Sequence, residues 1–211
     1  MVDLTALQDA VLDRLQAKHA AREQALAASR QATRHAANAI RATHRDERER
    51  AQELIDRARE AIAEAQSACA DHPDVEHAGF LADARKEYVE ACATYALLAG
   101  EDLPAPETLA VGDAEYLNGL AEAVGELRRL ALDRLRSGDL EHAEALLSTM
   151  DDIYALLVTI DFPDGITGGL RRSTDMARGV TERTRGDVTT ALLQERLRRE
   201  LARHRDHLTG S

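Results

Sequence analysis

Apolar positions recur every three to four residues along most of the chain, and no stretch shows the period of two that marks a strand. Residues 3 to 43 carry Leu4, Leu7, Val11 and Leu15 on one stripe, continued by Ala25, Ala28, Ala32, Ala36 and Ile40. They predict one helix about 60 Å long. Such a length exceeds a compact domain and points to a bundle edge or an oligomer contact, and its alanine face lets another helix come close. Residues 46 to 70, rich in Arg and Glu, predict a second helix that Asp71-His72-Pro73 ends. A third runs from near Asp74 to about Ala99, with Phe80, Leu81, Ala84, Tyr88, Cys92 and Tyr95 on its core stripe. Residues 100 to 112, holding Pro104 and Pro106, predict the longest loop.

A fourth helix covers Asp113 to about Arg136, with Leu117, Leu120, Val124, Leu127 and Ala131 inward. Gly119 and Gly125 lie inside it, and each costs about 1 kcal/mol against Ala in a helix interior. Both predict close approach of another backbone or of a ligand. Ser137-Gly138-Asp139 ends that helix and caps the next. The fifth helix, 139 to 160, is the most apolar and is expected at the centre. After a turn at 161 to 165, an Arg-rich helical stretch runs from Gly168 to Leu208, with a break expected near Arg185-Gly186-Asp187. The ends, 1 to 3 and 205 to 211, are expected to fray. The whole reads as a single all-α domain over residues 1 to 211.

Composition sharpens this. Apolar residues make up 44% but aromatics only 3%, so the core is built from Leu, Ala, Val and Ile. Net charge is −11, and only Lys18 and Lys86 are lysines. Abundant acid with scarce Lys resembles proteins that work in concentrated salt, a halophilic pattern. The charge argues against loose electrostatic binding of nucleic acid but leaves room for a local arginine surface. Cys69 and Cys92 form no CxxC and read as buried, reduced and structural. No apolar run nears 18 residues and no apolar leader opens the chain, so a soluble, cytoplasmic protein with no membrane partner is expected.

The candidate chemistry is carboxylate. Glu87 and Glu90 stand at i and i+3 in Lys86-Glu87-Tyr88-Val89-Glu90-Ala91, and Glu122 and Glu126 at i and i+4 on the fourth helix. If those helices pack face to face, four acidic groups converge. Like charges share such a space only with a cation or with protonation. Mg²⁺ or Mn²⁺, hard cations that take oxygen ligands, would relieve the repulsion. Among 38 acidic residues such pairs also arise by chance on solvated faces. A ferritin-like di-iron site wants Glu-x-x-His on two helices. Asp74/His77 and Asp139/His142 have that spacing only at helix starts, where capping explains them better.

Glu87-Tyr88-Val89-Glu90-Ala91, then Tyr116-Leu117 with Gly119, then Gly125-Glu126-Leu127 with Arg129, then the Ser137-Gly138-Asp139 break resemble the translin family. Within it the likeness is to the translin-associated factor X (TRAX) branch and its single-subunit archaeal relatives. It covers residues 40 to 190 and is weaker in the N-terminal helix. The resemblance implies an up-and-down all-α bundle of about six to seven helices, with the long N-terminal helix, assembling into octamer-like homo-oligomeric shells. It also implies binding of single-stranded or short RNA, with single-stranded DNA as a further ligand of translin itself. The factor X branch implies Mg²⁺-dependent ribonuclease activity, carried over to Glu87, Glu90, Glu122 and Glu126 as metal ligands or water activators. The family usually has Asp where Glu122 stands and Leu where Asn118 stands. The extra methylene of Glu122 changes carboxylate reach by more than about 1 Å, up to one C–C bond.

By the same resemblance Arg41, Arg45, Arg48, Arg57 and Arg59 are candidate nucleic-acid contacts, and Arg129 is a candidate phosphate contact near the metal. The competing reading is a solvated face paired to Glu47, Glu49, Glu53 and Glu60, and for Arg129 an i, i+3 pair with Glu126. Arg171, Arg172, Arg178, Arg183 and Arg185 form a second, less specific set. His44 is an optional phosphate contact. Tyr88, Tyr95, Tyr116 and Tyr154 are expected in the core, with hydroxyls near the acidic site. The expected function is a metal-dependent endoribonuclease. A non-catalytic nucleic-acid-binding oligomer is the alternative, and a purely structural helical protein is the third.

Overall fold

The structure is a computed structural model and describes residues 4–209, with side chains described to residue 207. Among the described residues it is helical throughout, with no strand. The helices are α1 (Leu4–His44), α2 (Arg48–Cys69), α3 (Pro73–Glu76), α4 (Phe80–Ala99), α5 (Pro106–Leu109), α6 (Asp113–Ser137), α7 (Leu140–Val158), α8 (Asp164–Thr167) and α9 (Leu170–Thr209). None is long and apolar enough to cross a membrane. Packing divides the chain into two compact units, one ending at Gly119 and one beginning at Leu120, so the division falls inside the unbroken helix α6.

In the first unit α1 lies along α2 and α4, and α2 also meets α4. The contact surfaces are alanine: Ala25, Ala28, Ala32, Ala36 and Ala39 on α1, Ala51, Ala58, Ala61 and Ala65 on α2, and Ala84 and Ala91 on α4 are buried. Larger residues fill the gaps, with Leu54, Ile55, Ile62, Leu81 and Val89 buried among them. The buried alanines of α1 start only at position 25, and Leu4, Leu7, Val11, Leu12 and Leu15 remain exposed. Lys18 reaches Asp74 of α3 at 2.7 Å from this otherwise open half. Arg85 of α4, 12% exposed, donates to Glu76 of α3 at 3.0 Å and sits 3.8 Å from Glu115 of α6. It ties α4 to the elements on either side of it in sequence.

The second unit packs α7 and α8 on α9. Leu120, Val124, Leu127, Ala131, Ala143, Met150, Ile153, Leu157, Leu170, Ala177 and Val188 are among its buried apolar residues. Arg128, half-buried, donates to Thr184 at 2.9 Å and pairs with Asp187 at 2.9 Å, fixing the later half of α6 to α9. Asp139 caps α7, accepting the His142 amide and pairing with the His142 ring at 2.8 Å.

Five expectations are corrected. The third helix is two: Gly79 at φ +94°, left-handed backbone that favours glycine, separates α3 from α4. The 100–112 stretch is not all loop, because Pro106 starts the short helix α5. The helix after Pro163 begins within the expected turn, as α8. Helix α9 runs unbroken through Arg185-Gly186-Asp187, because Arg128 holds it on both sides of Gly186. Helix α7, despite its composition, is not central. It buries one face and leaves Leu156 and Val158 about half exposed. Helix α9 extends to Thr209; residues 1–3 and 210–211, part of the ends expected to fray, lie outside the described residues. Leu81 is fully buried at the centre of the α1–α2–α4 packing. Leu81→Ala is expected to lower stability by about 2–5 kcal/mol in urea unfolding followed by circular dichroism.

Candidate metal centre

The site stands on α4 and α6. Helix α4 is held by its buried stripe, Leu81, Ala84, Tyr88, Val89, Ala91 and Cys92, which leaves Glu87 and Glu90 half-buried on its flank. Tyr88 points elsewhere. Its hydroxyl bonds to Cys92, and both lie beside Arg59 and Asp56 of α2. Burial pushes the Tyr88 hydroxyl well above its usual range and the Cys92 thiol up to about 12, so both stay neutral and inert. The Tyr88 hydroxyl therefore serves the core, not the acidic site as expected. Cys69 is likewise buried and reduced.

Helix α6 reaches α4 through Gly119. A methyl built there would lie 2.6 Å from Val89 Cβ, 2.7 Å from the Lys86 carbonyl oxygen and 2.7 Å from Val89 Cγ1. Those are overlaps with backbone and with a branched side chain, so only glycine permits this approach. Gly125 differs: it is exposed, and a methyl there meets nothing within 4 Å. Close protein approach thus holds for Gly119 and fails for Gly125. Asn118, in place of the family's Leu, is buried and satisfies its amide on the Ala114 carbonyl at 2.8 Å.

Glu122 rides one turn beyond Gly119. One oxygen from each of Glu87, Glu90 and Glu122 falls within 4.8 Å of the others, and all three residues are half-buried. This is the one such group of metal-capable side chains among the described residues. Glu126 lies outside it. It stands a further turn along α6, about 5–6 Å on at Cβ, and pairs with Arg129 at 3.7 Å. The donor set is all carboxylate oxygen, which suits a hard cation and not a soft one.

The arginine candidates are exposed, and each has a partner. Arg41 donates to the Asn38 side chain at 2.7 Å. Arg45 grips Glu47 with two bonds, 2.6 and 2.8 Å. Arg48 meets Asp46 at 3.3 Å, and Arg57 meets Glu53 at 2.5 Å. These are solvent-screened surface contacts, which an incoming phosphate can replace. Of the second set, Arg185 is engaged with Asp151 at 2.6 Å. Missed from the sequence is His35 of α1. Arg34, Arg50 and Arg57 act on it electrostatically, and its buried Nδ1 has no hydrogen-bond partner. Only the packing of α1 on α2 brings Arg50 and Arg57 to it, so no local signal could have shown the cluster.

No family profile matches the chain. The uncharacterized protein MJ0175 of Methanocaldococcus jannaschii is 31% identical over 188 residues, 88% of this chain and 83% of that protein. AfC3PO, a translin/TRAX protein, is 35% identical, over 89% of this chain and 97% of its own. The TM-score is 0.77 to AfC3PO alone and 0.79 to its complex with duplex RNA. The chain belongs to the translin/TRAX family. The all-α translin fold is matched again by NeC3PO, at 18% identity and TM-score 0.77 over 90% of this chain and 98% of that one.

In this translin-family chain His35 gives a pH test. Burial first, then Arg57, Arg34 and Arg50, hold its imidazole below the usual histidine range. The unfolded chain then takes up the proton more readily, so stability rises with pH. The His35 contribution is complete above the unfolded value of about 6.5. It is lost progressively as pH falls from there through the folded-state value. In urea titrations from pH 8 to pH 5, His35→Gln is expected to lose less stability than the parent protein.

Proposed function

We propose that this chain is a nucleic-acid-binding, metal-dependent endoribonuclease of the cytoplasm that acts on single-stranded or short RNA as a homo-oligomer. The observation that carries the reading is the convergence of Glu87, Glu90 and Glu122 within 4.8 Å on two packed helices. Half-buried carboxylates this close repel one another, and a bound cation would relieve that repulsion. In the proposed centre their oxygens hold Mg²⁺ or Mn²⁺. When bound, such an ion supplies Lewis-acid stabilisation of the phosphodiester and lowers the pKa of water.

The chain's own groups do the rest. Glu126, one turn beyond the three ligands, takes the proton from the attacking water. Arg129, 56% exposed and already beside Glu126, meets the scissile phosphate. Arg41, Arg45, Arg48 and Arg57 exchange their surface partners for the sugar–phosphate backbone. AfC3PO was solved with duplex RNA, so a duplex stands beside single strands among the substrates to try. The exposed stripe Leu4, Leu7, Val11 and Leu15 fits self-association, because unpaired apolar helix faces are covered in stable proteins.

Labelled single-stranded and duplex RNA, with Mg²⁺, Mn²⁺ or EDTA, provide the test. Cleavage is expected with metal and not with EDTA. Glu90→Gln is expected to reduce it by about 100-fold, in line with loss of a metal contact, while RNA affinity holds. RNA affinity with no metal-stimulated cleavage would instead favour a non-catalytic translin-like binder. Separately, Arg57→Ala is expected to weaken binding of all sequences alike and to lower the slope of log affinity against log salt by about 1.

A further inference from the structure

We infer that His35 couples RNA binding to proton uptake: when a phosphate backbone lies across Arg34, Arg50 and Arg57, the imidazole beside them becomes charged and strengthens the contact. The inference rests on the RNA-binding reading above but not on the metal or the cleavage. It adds to that reading a residue outside its contact set and a dependence on pH. Everything it uses lies on α1 and α2, within the first unit.

The ground is where the chain keeps its acids away. Of 38 acidic residues none falls between Gln24 and Arg45, the longest acid-free stretch in the sequence. That stretch is the half of α1 that packs on α2, and it carries Arg30, Arg34, His35, Arg41 and His44. Residues 45 to 47 close α1 and α2 into a hairpin, which brings Arg34 level with Arg57 and Arg41 level with Arg50. On each helix the two arginines are seven residues apart, two turns or about 10.5 Å, and all four are exposed. An acidic protein thus presents a cationic strip long enough for more than one phosphate.

His35 sits half-buried beside this strip, and its buried Nδ1 has no hydrogen-bond partner. A histidine kept for the fold alone would satisfy that atom on a carbonyl or a carboxylate. The charged groups that face the ring are Arg34 from α1 and Arg50 and Arg57 from α2, with Glu53 held between the two α2 arginines. Helices α3 and α4 also pack on α1, and among the described residues none of their charged groups acts on the ring. Burial and the three guanidiniums together oppose its protonation in the free chain. A polyanion on those guanidiniums cancels their share, so RNA and proton each favour the binding of the other, by the same factor. Bound RNA raises the histidine's proton affinity. RNA affinity therefore climbs as pH falls through the bound-state value and levels off below the free-state value, which lies under the usual 6.5 or so.

The experiment titrates a labelled single-stranded oligoribonucleotide into the full chain at fixed KCl, from pH 8 to pH 5.5, with EDTA present so that nothing is cleaved. The parent is expected to gain up to about fivefold more affinity over this range than His35→Gln, the scale of one solvent-screened charge contact. At pH 5.5 its slope of log affinity against log salt is expected to be steeper than that of His35→Gln by about 0.7. Calorimetry at pH 6 in buffers of different ionisation enthalpy counts the protons taken up. His35→Gln is expected to remove most of that uptake, whereas His142→Gln, at the start of α7, keeps it. Should His35→Gln fail to fold, Arg34→Gln at an exposed position replaces it. The ring then meets one cation fewer before RNA arrives, and the pH of greatest uptake is expected to move upward. The same pH dependence in the parent and in folded His35→Gln overturns the inference and leaves RNA binding standing, as does an uptake that Arg34→Gln does not move. No RNA binding at any pH overturns the RNA-binding reading, and this inference with it.

Discussion

How closely two helices approach is limited by the side chains between them; with ordinary residues at the contact the axes stay about 8–10 Å apart. This chain repeatedly removes those side chains. The α1, α2 and α4 surfaces meet on alanine, and α6 meets α4 on glycine. Thin faces bury little apolar area per residue, so the first unit makes its contacts long: the buried residues of α1 run from Ala25 to Ala42.

Close backbones bring flanking groups close as well, and on α4 and α6 those groups are carboxylates. Carboxylates placed this close repel one another. Their convergence is a local conflict within an otherwise consistent helical pattern, and such conflicts gather at functional sites. The buried titratable groups nearby make the contrast. Tyr88 and Cys92 are held neutral by burial, and Arg85 is paired to acids. Among the described residues, the α4 flank is where three groups able to hold a metal converge.

Helix identity was legible in the sequence because periodicity persists over many turns, and α1, α2 and α6 begin and end within two residues of expectation. What escaped reading depended on tertiary contact. The break at Gly79 rests on one backbone dihedral, and the continuity of α9 at Gly186 rests on Arg128, more than fifty residues away. Composition misplaced α7, since hydrophobic residues can line an outer face that another surface covers. In the site, Glu87, Glu90 and Glu122 were found together through motif resemblance, with Glu126 as a fourth. Spacing alone could not separate the last, because i, i+3 and i, i+4 both lie on one face and only the point of contact at Gly119 decides which turn is nearest α4. The two glycines of α6 looked alike for the same reason.

The arginines raise a different question, that of an acidic protein proposed to hold a polyanion. Arg45, Arg48, Arg57 and Arg129 each keep a carboxylate partner within 4 Å. A lone phosphate ion gains little by displacing such a partner, since it exchanges one anion for another and loses its own freedom of movement. A nucleic-acid backbone meets several guanidiniums at once, and after the first contact the others are reached intramolecularly at high effective concentration. The carboxylates released remain tethered nearby and repel the chain, which keeps each contact weak and reversible. On the proposed reading the local acids therefore favour an extended backbone over small anions and let product leave after cleavage. A uniformly basic surface would hold substrate and product equally hard.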